Sequence, residues 1–239
     1  MPIYNLAYWS QNRPWISWTP QSNSHLLQMT TYKIGWGGGR LPTEYQEVEY
    51  IQTNWKSYLE IWWFTVSSYE RLEYKFNPVD FSTESWAVPF FFWNVPSGQN
   101  YLTTNSGNSQ FQVWAWNSDL LITSISSNTD YTIVQTMSSW SLTMVINWNT
   151  YTDSYSWSLN ASHFPLFCRY RGGGAGYNYW AYNMKLYYFK IYDSADNCVR
   201  DMVPCYRKAD GEIWAYDLIN DVFYTNPTSD ILLKWPDVN

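Results

Sequence analysis

Short runs of β-forming residues follow one another along most of the chain, and no segment shows the 3.6-residue period of an amphipathic helix. In residues 71–76, charged side chains alternate with apolar ones, which is typical of an antiparallel strand with one buried face. Residues 90–92 are continuously aromatic, which fits a strand buried on both faces. Further strands are predicted at 47–51, 111–115, 130–136, Ser141–Ile146, Asn149–Ser154, 164–169 and 184–192. Strands that recur about every ten residues predict an all-β sandwich.

Tryptophan outnumbers glycine, 17 to 11, and several tryptophans stand where a β protein needs a turn. Trp55, Trp140, Trp148 and Trp157 each lie among small polar neighbours that interrupt a β-rich run. The two-residue turns of hairpins need φ > 0, which glycine adopts freely and tryptophan only with strain. We therefore hypothesise that many of these tryptophans are glycines in the natural protein, encoded by UGA codons that its source reads as glycine. The alternative is an authentic aromatic-rich surface protein.

Charge and hydropathy exclude two classes of partner. Lysine and arginine number 14 against 20 acidic residues, for a net charge of −6, whereas a protein that binds phosphate backbones needs the opposite balance. The longest apolar run, 87–93, has the length of a strand and contains Pro89, so no membrane insertion is expected. No signal peptide is visible at the N-terminus. We expect a cytosolic protein, or a virion protein that is released by lysis.

The cysteines and histidines do not form a metal-binding pattern. Cys168, Cys198 and Cys205 show no CxxC spacing, and His25 and His163 are the two histidines. Neither a disulfide framework nor a zinc site follows from this spacing, and we predict no metal and no cofactor. The cysteines are interpreted as buried small hydrophobic residues.

Residues 1–40 differ from the rest of the chain. They are rich in Gln, Asn, Ser, Pro and Trp and show no sustained period of 2 or 3.6 residues. The glycine tract at 35–39 is expected to form a flexible joint. We therefore predict an extended N-terminal arm and linker over 1–40, followed by one domain over 41–239. The alternative is an extra edge strand packed on that domain.

Residues 41–51, LPTEYQEVEYI, resemble the opening of a concanavalin A-like, LamG-type jelly-roll domain, a family found in phage structural proteins and gut-bacterial surface proteins. The closing half resembles the family more specifically, in MKLYYFKIYD (184–193), VRDMVPCYRK (199–208), DGEI (210–213), YDL (216–218) and FYTN (223–226). The resemblance covers residues 41–238 and implies an antiparallel two-sheet jelly roll that binds carbohydrate or a host surface. Family members typically have glycine at the positions matching Trp55, Trp148, Trp157, Trp214 and Trp235, which supports the decoding hypothesis.

The carboxylates do not follow the pattern of an enzyme. Glycosidases of the wider jelly-roll fold carry a Glu-x-Asp-x-Glu strand, as the resemblance implies, and use two carboxylates across a concave face. Glu47 and Glu49 share one face of a strand, but the third position is Ile51. Glu70 and Glu73 are three residues apart, which places them on opposite faces. No nucleophile elbow, phosphate loop or Cys/His dyad is evident, so we predict no catalytic residues and no enzyme activity.

A glycine-rich loop is the strongest candidate for a ligand site. It combines tyrosines with two arginines in a chain otherwise poor in charge, which suits the aromatic stacking and hydrogen bonding of sugar sites. The predicted ligand-binding residues are Arg169, Tyr170, Arg171, Tyr177, Asn178 and Tyr179. The alternative is a structural hairpin whose tyrosines pack on the rim of the sheet. The polar loop 101–108 is a second candidate with the same alternative.

These observations favour a non-catalytic virion protein of a bacteriophage, in a fibre, a tail or a capsid decoration, whose jelly roll binds a host-surface glycan. The expected partners are that glycan, other virion proteins through residues 1–40, and further copies of the chain in a trimer. Low charge and abundant aromatic residues suit such interfaces. The alternatives are a purely structural fibre or decoration protein without ligand specificity and, less favoured, a glycosidase.

Overall fold

The computed structural model describes residues 40–53, 59–61, 69–80, 90–94, 100–104, 110–115, 118–138, 141–154, 164–166, 169–170, 177–178, 183–225 and 233–238. The regular secondary structure of these residues is entirely β. Consequently, this part of the chain has no helix with the length and apolar character needed to cross a membrane. Of the predicted arm, only Arg40 belongs to the described residues, so the boundary between arm and domain stays a prediction.

The described residues contain eighteen strands, all paired antiparallel. In chain order they are β1 (Tyr45–Gln52), β2 (Leu59–Ile61), β3 (Tyr69–Asp80), β4 (Phe90–Asn94), β5 (Asn100–Thr104), β6 (Gln110–Ala115), β7 (Ser118–Ser124), β8 (Tyr131–Ser138), β9 (Ser141–Ile146), β10 (Asn149–Ser154), β11 (Phe164–Leu166), β12 (Arg169–Tyr170), β13 (Tyr177–Asn178), β14 (Asn183–Asp193), β15 (Cys198–Arg207), β16 (Ile213–Asp217), β17 (Val222–Tyr224) and β18 (Leu233–Asp237).

The strands form two main sheets. The larger sheet has ten strands in the order β10-β9-β8-β3-β14-β1-β15-β16-β17, with β18 also paired to β1. The smaller sheet has six strands in the order β2-β11-β4-β5-β6-β7, and β12 and β13 form a separate two-stranded ladder. Local hairpins such as β8-β9-β10 are combined with long-range neighbours such as β3 and β14. This connectivity is that of Greek-key sandwiches.

Alternation along the strands builds the core on one face of the larger sheet. In β3, Leu72, Tyr74 and Phe76 are buried, as the alternation in 71–76 predicts. The same period buries every second residue of β9. The core of the larger sheet also includes Val48, Ile51, Ile133, Met137, Leu142, Met144, Ile146, Met184, Leu186, Phe189, Ile191 and Met202.

Phe111 connects the two sheets. This β6 residue of the smaller sheet is fully buried, and its ring meets the Phe76 ring edge-on at a centroid distance of 6.0 Å. The Tyr131 ring lies 4.9 Å from it, also edge-on. Leu166 of β11 joins the same core from the smaller sheet. The two sheets therefore pack face to face, and the predicted all-β antiparallel sandwich is confirmed.

The opposite face of the larger sheet carries a second apolar cluster near β15 and β16. Val203, Cys205 and Tyr216 are buried there, and Leu41 and Tyr45 pack against them. The segment 41–45 thus lies over this face. The ion pair between Arg40 and Glu47 holds the same segment in place.

The charged residues of β3 do not all face solvent, although the alternation of 71–76 predicts that they do. Arg71 is buried, with its guanidinium 3.7 Å from the centre of the Tyr192 ring. It forms ion pairs with Glu73 at 2.5 Å and Asp196 at 2.7 Å, and the Tyr192 hydroxyl donates to Glu73 at 3.1 Å. Tyr192 and Asp196 therefore cover the outward face of β3 at Arg71. The charge of Arg71 can be buried there because it is paired with carboxylates.

Two elements differ from the predicted strand pattern. The predicted strand 164–169 is divided, since its start forms β11 in the smaller sheet and its end belongs to the β12–β13 ladder. Residues of β15 are buried in succession, so their pattern does not alternate. Pro204 is tolerated inside β15 because residues 198–202 pair with β14 and residues 205–207 pair with β1. At the change of partner, a missing N–H removes no ladder hydrogen bond on that side.

The hairpin between β9 and β10 has a tight turn at Asn147-Trp148. The ladder closes on the pair Ile146 and Asn149, and the two turn residues have φ values of 45° and 75°. Positive φ at both positions is the signature of a type I′ turn. Trp148 is 84% exposed, as expected for a tryptophan at a turn tip. Trp55, Trp140 and Trp157 lie outside the described residues.

Candidate functional site

The predicted ligand loop is partly described. Arg169 and Tyr170 form β12 and pair with Asn178 and Tyr177 of β13, so four of the six predicted residues meet in one short ladder. The role of these residues in ligand binding stays a prediction. Arg171 and Tyr179 lie outside the described residues. Of the second candidate loop, residues 101–104 belong to β5 and the rest is not described.

A different cluster of aromatic and charged side chains lies on the outer face of the larger sheet, opposite the core. We call it the Tyr187 patch, and it consists of Tyr50, Lys75, Asn77, Asp130, Lys185 and Tyr187. Its members come from β1, β3, β14 and the residue preceding β8. These residues are spread over the sequence from position 50 to position 187. Only the order of the strands in the sheet brings them together.

Asp130 is the centre of the hydrogen bonds in the Tyr187 patch. Its carboxylate accepts from Asn77 Nδ2 at 2.8 Å and from the Tyr187 hydroxyl at 3.1 Å, and Lys75 Nζ lies 2.8 Å from its second oxygen. Partial burial opposes ionisation, but hydrogen bonds from Lys75 and Asn77 and the charge of Lys75 lower the pKa of Asp130 below its usual value. The carboxylate is therefore ionised at neutral pH, with its side chain 44% exposed.

The aromatic rings of the Tyr187 patch are bordered by lysines. The Tyr50 and Tyr187 rings meet edge-on at 5.4 Å, Lys75 Nζ lies 4.2 Å from the Tyr187 ring centre, and Lys185 Nζ lies 4.5 Å from that of Tyr50. Such contacts are favourable cation–π interactions. Burial and the Asp130 carboxylate raise the pKa of Tyr187 above its usual value, so the hydroxyl stays protonated and donates.

Local strand geometry explains why these side chains share a face. Leu186 is buried in the core, and the pairing of β14 with β3 shifts register between Leu186 and Tyr188. Lys185 and Tyr187 flank Leu186 and therefore lie on the opposite face, and Tyr187 is the residue left without a β3 partner at the shift. Lys75 pairs with Thr132, which is exposed, so both residues lie on the outer face. The next pair, Phe76 and Tyr131, faces the core.

The Tyr187 patch adjoins the Asn147-Trp148 turn. Asn147 Nδ2 donates to the Asp130 carbonyl at 3.0 Å, and Asn147 Oδ1 accepts from the Thr132 N–H at 2.9 Å. The turn thereby fixes the backbone that presents the Asp130 carboxylate. The Tyr187 patch offers ligand atoms an acceptor (Asp130), an ammonium donor (Lys75) and the half-buried ring of Tyr187, a set that matches hydroxylated compounds.

Three of the other described carboxylates, those of Glu47, Glu73 and Asp217, make structural contacts. Glu47 pairs with Arg40, and Glu73 accepts from Arg71 and the Tyr192 hydroxyl. Fully buried Asp217 accepts from the backbone N–H groups of Asp201 and Ile219 and lies 3.4 Å from Arg200 Nε. These contacts occupy the three carboxylates, and the absence of enzyme activity remains an expectation. Among the described residues, no three His, Cys, Asp or Glu side chains are grouped as a metal site.

The two described cysteines differ in how well they match the prediction that they are buried small hydrophobic residues. Cys205 is buried in the second apolar cluster, which confirms the interpretation for this residue. Cys198 is half-buried, and its thiol lies 3.1 Å from the carbonyl oxygen of Arg200. Burial raises the pKa of both thiols to about 12. Cys168 lies outside the described residues.

We expect the thiols of Cys198 and Cys205 to resist modification in the folded protein, because only the thiolate is nucleophilic and a pKa of about 12 leaves almost none at neutral pH. The measurement is labelling of the Cys168→Ser variant by a disulfide reagent, with and without urea. Both thiols should react only after unfolding. A Thr132→Cys variant supplies an exposed thiol that reacts rapidly. Rapid stoichiometric labelling of Cys205 in the native protein would contradict the described burial.

Comparison with known proteins identifies the fold. No protein-family model and no curated protein matches the chain. A solved structure from Bacteroides ovatus, of a protein proposed to bind carbohydrate, is similar over 81% of this chain with a TM-score of 0.55 and 10% sequence identity. The chain spans 62% of that protein. A β-glucanase of Bacillus licheniformis is 11% identical over 63% of this chain and 97% of its own, with a TM-score of 0.37.

At 10% identity, the similarity to the B. ovatus protein shows the fold alone. The chain is an antiparallel two-sheet jelly-roll sandwich, as the resemblance in the sequence implies. The β-glucanase score is too low to bear on activity. The narrower resemblance to LamG-type phage domains stays a prediction.

Proposed function

We propose that the chain is a non-catalytic carbohydrate-binding protein of a bacteriophage virion, and that the Tyr187 patch contributes to its glycan-binding surface. The observation that carries the proposal is the convergence of a partly exposed carboxylate, an ammonium group and tyrosine side chains on one sheet face. A jelly-roll fold shared with a B. ovatus protein that is proposed to bind carbohydrate supports the same class of ligand.

The chemistry of the Tyr187 patch suits neutral sugars. A sugar hydroxyl both donates and accepts, so adjacent hydroxyls can donate to the Asp130 carboxylate and accept from Lys75. The lowered pKa of Asp130 keeps the acceptor ionised, and hydrogen bonds to a charged acceptor are stronger than neutral ones. The ring edge of Tyr187 supplies apolar contact beside these groups.

The glycine-rich loop remains a second part of the proposed surface. Arg169, Tyr170, Tyr177 and Asn178 are held in register by the β12–β13 ladder. Arg171 and Tyr179 directly follow these two strands in the sequence and belong to the same proposed site. In this proposal the loop and the Tyr187 patch are tested separately, because no described contact joins them.

The virion setting is proposed from the sequence resemblance. In it, residues 1–40 attach the protein to other virion proteins, the jelly roll faces outward, and copies assemble as a trimer. The ligand is a glycan of the host surface. A structural fibre or decoration protein without ligand specificity is the competing outcome, and binding experiments decide between them.

We expect Asp130→Ala to weaken glycan binding by about tenfold or more, because a charge-assisted hydrogen bond contributes about 1.5–3 kcal/mol. The measurement is a glycan-array screen with the full chain, followed by titration of the best glycan. Tyr187→Ala removes the ring and the hydroxyl, whereas Tyr187→Phe removes only the hydroxyl. Asp153→Ala is the matched control, because this residue lies near the end of the β9–β10 hairpin that is distant from its turn.

Each result bears on one part of the proposal. Loss of binding in Asp130→Ala with normal binding in Asp153→Ala supports the Tyr187 patch. Normal binding in Asp130→Ala together with loss in an Arg171→Ala, Tyr179→Ala variant assigns the glycan to the loop instead. If the full chain binds neither glycans nor host cells but still assembles on particles, the protein is structural and the binding function is wrong.

A further inference from the structure

We propose that residue 148 is glycine in the natural protein, because its codon is a UGA that the source organism reads as glycine. The same decoding would apply to the other tryptophans at predicted turns, Trp55, Trp140 and Trp157. This inference is independent of the proposed glycan binding, and it rests first on the backbone of the β9–β10 hairpin.

Backbone conformation makes Trp148 an exception among the described residues. The other described residues with φ between 45° and 73° are Asn128, Asn147, Asp196, Gly211 and Asp221. Asn, Asp and Gly are the residue types that enter this region routinely. Trp148, at 75°, is the one bulky side chain in that set. In this conformation Cβ approaches the following carbonyl oxygen, a contact that glycine does not have.

The surroundings of Trp148 do not compensate for this strain. Its side chain is 84% exposed, whereas the other exposed large hydrophobic residues among those described range from 40% to 53%. Nearly all of the indole surface therefore stays in water, where it gains little from the hydrophobic effect. A bulky residue is expected in the left-handed conformation only where packing around its side chain stabilises that conformation.

The rest of the turn is built as an Asn-Gly turn would be. The Asn147 N–H donates to the Thr132 carbonyl at 3.1 Å, and its side chain bonds to Thr132 and Asp130. These contacts hold the first turn residue, and none of them involves the Trp148 side chain. Asn-Gly is among the strongest type I′ signals, while Asn-Trp is a poor one.

Composition is consistent with the same decoding. The chain has 11 glycines in 239 residues, below the roughly 7% that is average for proteins, although it is built from strands and turns. Trp214 is a contrasting case, because it is completely buried and its indole nitrogen has no hydrogen-bond partner among the described residues. The turn argument does not extend to Trp214.

The direct test reads the codon and the protein. The gene codon at position 148 is sequenced, and the peptide that spans the turn is identified by mass spectrometry in protein isolated from its natural source. UGA together with the glycine mass supports the proposal. A UGG codon overturns it, as does a UGA codon whose peptide carries tryptophan.

The physical test compares variants of the full chain by urea unfolding. We expect W148G to raise the folding equilibrium constant by about tenfold, from removal of left-handed strain. W148A is the matched control, since it removes the indole but keeps Cβ and therefore the strain. W148N should fall between the two because Asn tolerates this conformation.

The variants separate strain from exposure of the indole. If W148A gains as much stability as W148G, the indole surface and not the backbone explains the effect, and the conformational argument fails. An unchanged equilibrium constant in W148G overturns it as well. A Gly substitution at exposed Val222, whose φ is not positive, should lower stability and so shows that glycine is favoured only at the turn.

Discussion

Replacing Phe111 with alanine is expected to lower the free energy of unfolding by about 3–5 kcal/mol. Phe111 is fully buried and joins the smaller sheet to the larger through edge-on contacts with Phe76 and Tyr131. Truncation removes the transfer free energy of the ring and both ring contacts, and it leaves a cavity between the two sheets. Urea unfolding followed by circular dichroism measures the change.

Val222→Ala is the control for Phe111→Ala, because it shortens an apolar side chain that is 40% exposed. Its expected effect is within about 0.5 kcal/mol, as for most surface substitutions. If Phe111→Ala costs as little as Val222→Ala, the two sheets do not pack through this residue. That result would contradict the packing of Phe111 against Phe76 and Tyr131 between the two sheets.

Replacing Lys190 with methionine is expected to destabilise the protein by about 3 kcal/mol at pH 7. Lys190 and Asp201 face each other across β14 and β15, 3.2 Å apart, with side chains only 8% and 3% exposed. Burial raises the pKa of Asp201, and Lys190 opposes that rise. Methionine keeps much of the volume but removes the charge, so the carboxylate stays buried without the ammonium.

The loss in Lys190→Met should depend on pH in a defined direction. The folded-state pKa of Asp201 lies above its unfolded value of about 3.8 and rises further in the variant. A carboxyl group whose pKa is higher in the folded state than in the unfolded state stabilises the fold fully at a pH below its unfolded-state pKa. This stabilisation is lost as the pH rises through the folded-state pKa. The deficit of the variant is therefore greatest at neutral pH and shrinks toward pH 4.

Two further variants make the Lys190 result specific. The double variant Lys190→Met, Asp201→Leu removes both charges and should recover most of the stability, because a well-packed apolar pair replaces a buried ion pair without penalty. Lys208→Met removes an exposed lysine and should change stability by less than about 0.5 kcal/mol. A deficit that does not change with pH would show that Asp201 is not the cause.

Hydrophobic periodicity was sufficient to predict several of the strands. The alternation in 71–76 lies within β3, and the predicted strand Ser141–Ile146 is β9. These strands bury one face against the core, so their side chains must alternate. The two-residue period does not predict β15, because residues on both of its faces are buried. It also does not predict that β15 changes its pairing partner from β14 to β1 near Pro204.

The Tyr187 patch was beyond the reach of sequence analysis. Lys75 could be predicted to face outward, but nothing in the sequence says that Asp130 lies beside it or that Tyr187 is aimed there. The register of β3 with β8 and with β14 decides these neighbours. A shift of one residue in either pairing would place the same side chains on the opposite face.

The sequence by itself determined the all-β class, the alternation of the core strands and the turn at Asn147-Trp148, because these depend on neighbouring residues along the chain. Only the tertiary structure decided which strands pair, that Arg71, Lys190 and Asp201 are buried, and which surface side chains meet. Those outcomes depend on contacts between residues far apart in sequence, where the pairing register and not the local period sets which groups leave water.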